Sequence, residues 1–362
     1  VRAKITRADS SRITVQISGK EKIFFDFGDA FSPALDDHSM SNFLVRTAFG
    51  AAMNDGADLE VDVPVDARLA RNLEKFSTAW CQYRPWRFKK ASRIAAPSYL
   101  HGEGNHEQSF VAAFSGGYDS SYMIEKYGRK NDLSPFPRID SAVMIDGFGY
   151  NLENKSPYQR AFGTGSAFCS AVGDIKLHSV ESNWSKIVGQ YAILHVMGIS
   201  AVLGLKSNVA GGGYVGLDFT AAEEFALGSW GNLDGNDRLF SSYDFEILPV
   251  GNDVPRISKI RHLRNIGLDG HIVVCNAENR VGSNCGACEK CLRTQLSYRA
   301  LGMQPLDGQF EEPLTEEAAS KLIIEKKTQL IFYKAIRRAW LDRSDVYFAI
   351  VKRLIKNAGP LH

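Results

Sequence analysis

The sequence predicts an α/β protein built on a doubly wound parallel sheet, with a small α+β N-terminal domain before it and C-terminal helices after it. Three observations predict this. Phe110-Val111-Ala112-Ala113-Phe114 is a short apolar run that reads as a buried strand, and Ser115-Gly116-Gly117 turns it at once into a helical pattern from Asp119 to Tyr127. From 107 to about 310 strand-like and helix-like patterns alternate, which implies right-handed crossovers between parallel strands. Residues before 105 and after 310 are patterned differently, so the expected domains are 1–105, 106–310 and 311–362.

Composition bounds the class. The 362 residues are 44% hydrophobic and 23% charged, as in ordinary globular proteins, and a formal charge of +2 gives no strong pull toward nucleic acid or a membrane surface. The longest apolar run, Tyr191 to Leu205, carries His195 and is too short to cross a bilayer. No secretory signal, internal repeat or low-complexity tract is visible, so no membrane span and a cytoplasmic location are expected.

In the N-terminal region, 13–18 and 22–27 flank Gly19-Lys20-Glu21 as a hairpin. Ser41–Met53 and Asp66–Tyr83 read as helices, and Leu59–Val63 as an alternating strand. Trp80, Tyr83, Trp86 and Phe88 form an aromatic cluster suited to packing between domains. His101-Gly102-Glu103 copies half of a zinc deaminase signature, but Cys285-x-x-Cys288 is far away and no proline precedes it, so that chemistry is set aside.

In the middle region 139–145 is the second strand of the core, 158–172 a helix, 174–180 the third strand and 184–197 a helix feeding a fourth strand at 200–205. His195, inside that apolar helix, reads as a satisfied core histidine. Gly211-Gly212-Gly213-Tyr214 and 235–242 read as long polar loops, with the glycines permitting lid motion and Lys206, Asn208, Arg238 or Ser242 reaching substrate or phosphate.

The turn at 115–121 narrows the chemistry. A strand that turns through two glycines into a helix gathers free backbone N–H groups at the positive end of the helix dipole, which is an anion site. Neither a Walker loop nor a dinucleotide fingerprint is present. Ser115-Gly116-Gly117-Tyr118-Asp119-Ser120 resembles the Ser-Gly-Gly-x-Asp-Ser loop of the PP-loop ATP pyrophosphatase superfamily. The resemblance implies a HUP-like fold with ATP over this turn, pyrophosphate held by Ser115, Gly116, Gly117 and Ser120 with Ser121 close to the same group, Tyr118 as a further cofactor-binding residue, and adenine against the second strand at Ile145 and Asp146. Asp119 and Asp146 are candidates to hold Mg2+, because hard oxygen ligands suit it. Asp119, Ser120, Lys206 and Arg238 are the candidate catalytic residues.

Four of the six cysteines, Cys275, Cys285, Cys288 and Cys291, fall within seventeen residues, a density that suits a closed tetrahedral Zn2+ site. Disulfides and an iron–sulfur cluster are the competing readings, and Cys81 and Cys169 read as buried and inert. The Cys–spacer–Cys-Gly-x-Cys-x-x-Cys-x-Arg pattern, downstream of the turn, is similar to the 7-cyano-7-deazaguanine synthase family, in which four cysteines bind structural zinc. Ser258-Lys259-Ile260-Arg261-His262-Leu263 sits where that family carries Lys-x-Glu-Ile, without its acidic residue. The likeness covers about 107–300. The middle loops and Cys288-Glu289-Lys290-Cys291-Leu292-Arg293-Thr294 look more like a separate group of PP-loop proteins.

After Pro313 the chain reads as helices, and between Lys321 and Lys356 ten Lys/Arg face three Asp/Glu. Such helices either dock on the core with a charged face in water or meet tRNA or an acidic partner. The expected activity is adenylation of a carboxylate or amide oxygen on a small-molecule or carrier-bound substrate, followed by attack of a nitrogen nucleophile, with a homodimer as the candidate assembly. The rival readings are a thiolation or tRNA-modifying PP-loop enzyme, and a non-catalytic zinc protein that binds nucleotide or nucleic acid.

Overall fold

An eight-stranded sheet runs through the molecule and positions everything else. The computed structural model describes residues 1–28, 30–102, 109–128, 136–228, 230–275 and 284–359. Glu103 and the 276–283 spacer of the cysteine stretch lie outside the described residues.

The chain opens with three antiparallel strands, β1 (Ala3–Ala8), β2 (Arg12–Ile17) and β3 (Ile23–Phe27). Alternation puts Ile13, Val15, Ile17, Ile23 and Phe25 on one buried face. Helix α1 (Asp37–Asp55) starts where the Asp36 side chain accepts from Ser39 N–H and stops at Gly56, whose φ is 62°. Two short parallel pairs follow: β4 (Leu59–Glu60) with β6 (Ile94–Ala95), and β5 (Val65–Asp66) with β7 (Tyr99–Leu100). Between them lies α2 (Ala67–Tyr83), capped by Asp66.

The central elements are β8 (Ser109–Ala113), α3 (Tyr118–Gly128), β9 (Arg138–Asp146), α4 (Ser156–Gly173), β10 (Lys176–Ser182), α5 (Trp184–Val188), α6 (Tyr191–Gly204) and β11 (Gly212–Gly216). Then come α7 (Ala221–Leu227), α8 (Asp234–Asp237), β12 (Glu246–Val250), α9 (Arg256–Asn265) and α10 (Glu289–Ala300). Three helices close the chain: α11 (Glu316–Ser320), α12 (Lys327–Ala339) and α13 (Val346–Asn357).

The sheet order is β1-β2-β3-β10-β9-β8-β11-β12, and the last five strands are mutually parallel. This is an α/β, Rossmann-like arrangement with a mostly parallel sheet. Strand order grows outward from β8 through β9 to β10, then reverses, because β11 returns to the other side of β8. Alternate residues of the central strands join different cores. Val111, Val143, Val180 and Val215 pack with α1 and α6, whereas Phe110, Ala112, Met144 and Tyr214 pack with α3, α4 and the C-terminal helices.

Three expectations are corrected. The first 105 residues do not stand apart as a module: β3 pairs antiparallel with β10, and α1 shares a core with α6. The run 200–205 is no strand but the end of α6 and the turn after it. The triple glycine is no lid. Gly212 and Gly213 are the first residues of buried β11, where an added Cβ would lie 2.5 Å from Phe110 Cζ and 2.8 Å from Leu203 Cδ1 respectively. Glycine is required because neighbouring side chains occupy the space a Cβ would fill.

Candidate functional site

The turn after β8 is held by its own hydroxyls. Gly116 has φ 77°, a left-handed conformation that suits glycine. Ser115 N–H donates to Ser120 Oγ at 3.2 Å, and the Ser120 hydroxyl donates to the Gly117 carbonyl at 3.2 Å. The first amides of α3 have no intrahelical acceptor and sit at its positive end. Val273 N–H donates to the Gly116 carbonyl at 2.9 Å, which fastens the turn to the chain that leads into Cys275. The end of β11 comes equally close: a Cβ on Gly216 would stand 3.1 Å from the Asp119 carbonyl carbon.

Asp119, expected to hold Mg2+, has both oxygens on cations. Lys259 Nζ donates to Oδ1 at 3.0 Å, and Arg256 Nη2 donates to Oδ2. Arg256 also reaches Asp218 Oδ1 at 3.0 Å, and Lys259 the Leu217 carbonyl at 2.7 Å. Burial alone would raise the Asp119 pKa, but Arg256 and then Lys259 outweigh it and hold the carboxyl below its usual value. In this arrangement Asp119 offers no oxygen to a metal.

A cavity of about 580 Å3 opens where the strand order reverses. The crevice beyond the carboxyl ends of the strands, at the switch point, is where ligands bind in open α/β sheets. Ser115, Gly117, Tyr118, Asp119 and Ser120 line it, as do Val143, Met144 and Ile145 at the end of β9 and Gly216, Asp218 and Phe219 after β11. Its size is that of a small-molecule site. Cys275, Glu289, Lys290 and Arg293 form another wall, and α12 adds Gln329, Phe332 and Ile336. Phe332 stacks on Phe219 with centroids 4.7 Å apart and stands 4.3 Å from the Arg256 guanidinium and 4.5 Å from that of Arg293.

The four cysteines converge. Sγ of Cys275 lies 3.5 Å from that of Cys285 and 3.7 Å from that of Cys288, and Cys285 to Cys291 is 3.8 Å. A tetrahedral Zn–S distance of about 2.3 Å gives sulfur–sulfur edges of about 3.8 Å, whereas a disulfide is about 2.05 Å. The set is therefore not disulfide-paired and fits a closed metal centre, including zinc. The sulfur contact with Cys275 pushes the Cys288 thiol up to about 11, so a cation is what would favour the thiolates.

Other expected site residues lie elsewhere. Lys206 is buried with its Nζ 4.9 Å from the Phe31 ring, and Arg238 pairs with Asp234 at 2.9 Å. Ser242 is buried beneath Arg46, whose Nη2 donates to it at 2.9 Å, and Asn208 is exposed. None of these four lines the cavity. Ser121 is fully buried, and Asp146 accepts from Lys155 Nζ at 2.9 Å while its Oδ1 has no partner among the described residues. That oxygen is the one aspartate donor from the expected pair left for a hard cation. His195, expected as a core residue, lines the cavity instead; burial lowers its pKa, and its Nδ1 lies 3.0 Å from the Tyr191 carbonyl.

Sequence reasoning missed Arg256, Asp218 and Phe332 as cavity residues. A positively charged first turn after Pro255 was the available signal for Arg256, but nothing local links it to Asp119, 137 residues away. The fold and site thus define a Rossmann-like protein with a switch-point cavity beside a four-cysteine centre. No protein-family model matches the chain, and no curated protein or solved structure matches it either. Among the described residues no helix is long and apolar enough to cross a membrane.

Proposed function

We propose that the chain is an ATP-dependent adenylating enzyme with a doubly wound PP-loop fold, similar to 7-cyano-7-deazaguanine synthases in its nucleotide half. The observation that carries the reading is the Ser115–Ser120 turn, which lines the cavity at the carboxyl end of β8 with its helix amides and two cations beside it. On this reading the turn holds the β- and γ-phosphates. A carboxylate or amide oxygen of the second substrate bonds to the α-phosphorus, and diphosphate leaves with the bonding electron pair. A nitrogen nucleophile then forms the new C–N bond and expels AMP.

Positioning and charge stabilisation supply most of such a barrier reduction, so no dedicated base is needed. Arg256 and Lys259, held at the turn by Asp119, are the groups that would neutralise charge on the departing diphosphate. Val143, Met144 and Ile145 offer an apolar wall for adenine. The zinc centre is structural: with four sulfur ligands it has no open position, and it fixes the start of α10 against the cavity. The placement of α12 in the cavity wall favours C-terminal helices that dock on the core over helices that wait for tRNA.

The test is diphosphate and AMP release from ATP, measured with the zinc-loaded chain against a panel of carboxylate and amide acceptors. Acceptor-dependent release of both products supports the reading. ATP cleaved to ADP and phosphate would contradict it.

A further inference from the structure

The cavity holds more cations than its turn uses. Arg256, Lys290, Arg293 and Lys326 line it, against the carboxylates of Asp119, Asp218 and Glu289. Arg256 is committed to Asp119 and Asp218. Arg293 faces Glu289 at 3.4 Å, and Glu289 is shared with the Tyr333 hydroxyl at 3.2 Å. The Lys290 ammonium makes no hydrogen bond or ion pair among the described residues, yet the residue sits on the wall of the cavity.

Two things place Lys290 and Arg293 together. They are three residues apart on α10, so they share one face of the helix. The start of that helix is also set by Cys288 and Cys291, which flank Lys290, and this gives the ammonium a fixed base. Arg293 is further held by Phe332, 4.5 Å from its guanidinium. A planar guanidinium beside a free ammonium is a suitable receptor for a carboxylate or a phosphate, the first supplying a fork and the second a point charge. The turn has its own cations in Arg256 and Lys259, so this second pair is not needed to balance it.

We propose that Lys290 and Arg293 form an anion subsite that receives an acid group of the acceptor substrate. The inference rests on the adenylation reading and adds the charge class of the second substrate: it carries a carboxylate or phosphate besides the oxygen that is activated. Such an anchor fixes one end of the acceptor and leaves its reacting oxygen to be aimed at the α-phosphorus.

The experiment is calorimetric titration of the zinc-loaded full chain, saturated with a non-hydrolysable ATP analogue, with succinate in one arm and inorganic phosphate in the other. At least one anion binds the wild type, the preferred arm identifies the acid, and Lys290→Gln weakens that binding at least tenfold while the affinity for the analogue changes less than twofold. Circular dichroism and zinc content of the variant, expected to match wild type, verify its fold. No anion binding to the loaded wild type overturns the proposal, and so does a tenfold loss of analogue affinity in Lys290→Gln, which would make Lys290 a nucleotide residue. If the analogue itself does not bind, the adenylation reading fails on its own. The anion titration is then repeated without nucleotide: binding that Lys290→Gln abolishes keeps the subsite, and its absence removes it.

Discussion

Lys259 donates its Nζ to Asp119 Oδ1 at 3.0 Å across 140 residues of sequence, and the two side chains are 1% and 9% exposed. With Arg256 on the other oxygen, one buried carboxylate holds two cations from α9 against the turn after β8. The pairing ties the turn after β8 to a distant helix, which gives Asp119 a structural role.

Asp119→Asn leaves the buried Lys259 without a counter-charge and Arg256 with Asp218 alone. Breaking a buried pair by removing one partner costs about 3–5 kcal/mol. The variant is expected to unfold at lower denaturant concentration by that margin at pH 7 and to lose ATP turnover, while zinc content stays at the wild-type value. Urea titration and metal analysis check the two halves.

The sign of the pH dependence follows from the same group. The native pKa of Asp119 is held below its unfolded value near 3.8, so its contribution is complete above that value and fades as pH falls through the depressed native one. Wild-type stability should therefore drop between pH 5 and pH 2, and Asp119→Asn should show a shallower drop over that window. Parallel acid titrations for the two proteins would contradict this.

Gly216→Ala tests the contact between β11 and the turn. The new Cβ would press on the Asp119 and Ser120 backbone at 3.1–3.2 Å, so the turn must give by a few tenths of an ångström. Displacement of a positioning element is expected to reduce turnover on the order of tenfold with little loss of stability. Single-turnover kinetics beside a thermal melt separate the two effects.

Chelation of the metal is expected to release four thiols to alkylation, leaving Cys81 and Cys169 as the cysteines outside the set. Because Cys275 and the first turn of α10 line the cavity, nucleotide affinity should fall with the metal. Cys285→Ser should reproduce the loss. Metal content and nucleotide binding, followed together during chelation, check the coupling.

Phe332→Ala removes a ring that stacks on Phe219 and touches two guanidiniums. Loss of this half-buried side chain is expected to cost about 2 kcal/mol. If α12 is part of the site, turnover falls as well. Unchanged turnover would make the helix packing alone.

Much of this was legible where the signal is local. The apolar run at 110–114, the two glycines and the helical pattern after them need only neighbouring residues, and the four cysteines declare themselves by spacing. Longer-range features were not. Helix α6 is apolar on nearly every face, so its end has no amphipathic period to distinguish it from a strand. Gly212 and Gly213 read as a loop because glycine is depleted in strands; only the positions of Phe110 and Leu203 explain them. The merging of the N-terminal strands with the central sheet depends on the β3–β10 pairing, which joins Phe27 to Val180 and leaves no mark on either stretch alone.

The central claim is that the amides after β8 grip the diphosphate of ATP, and a crystal structure of the zinc-loaded chain with a non-hydrolysable ATP analogue tests it most directly. The account predicts β- and γ-phosphate oxygens within hydrogen-bond distance of backbone N–H groups between Ser115 and Ser121, with Arg256 or Lys259 turned toward them. Phosphates bound anywhere else would contradict it.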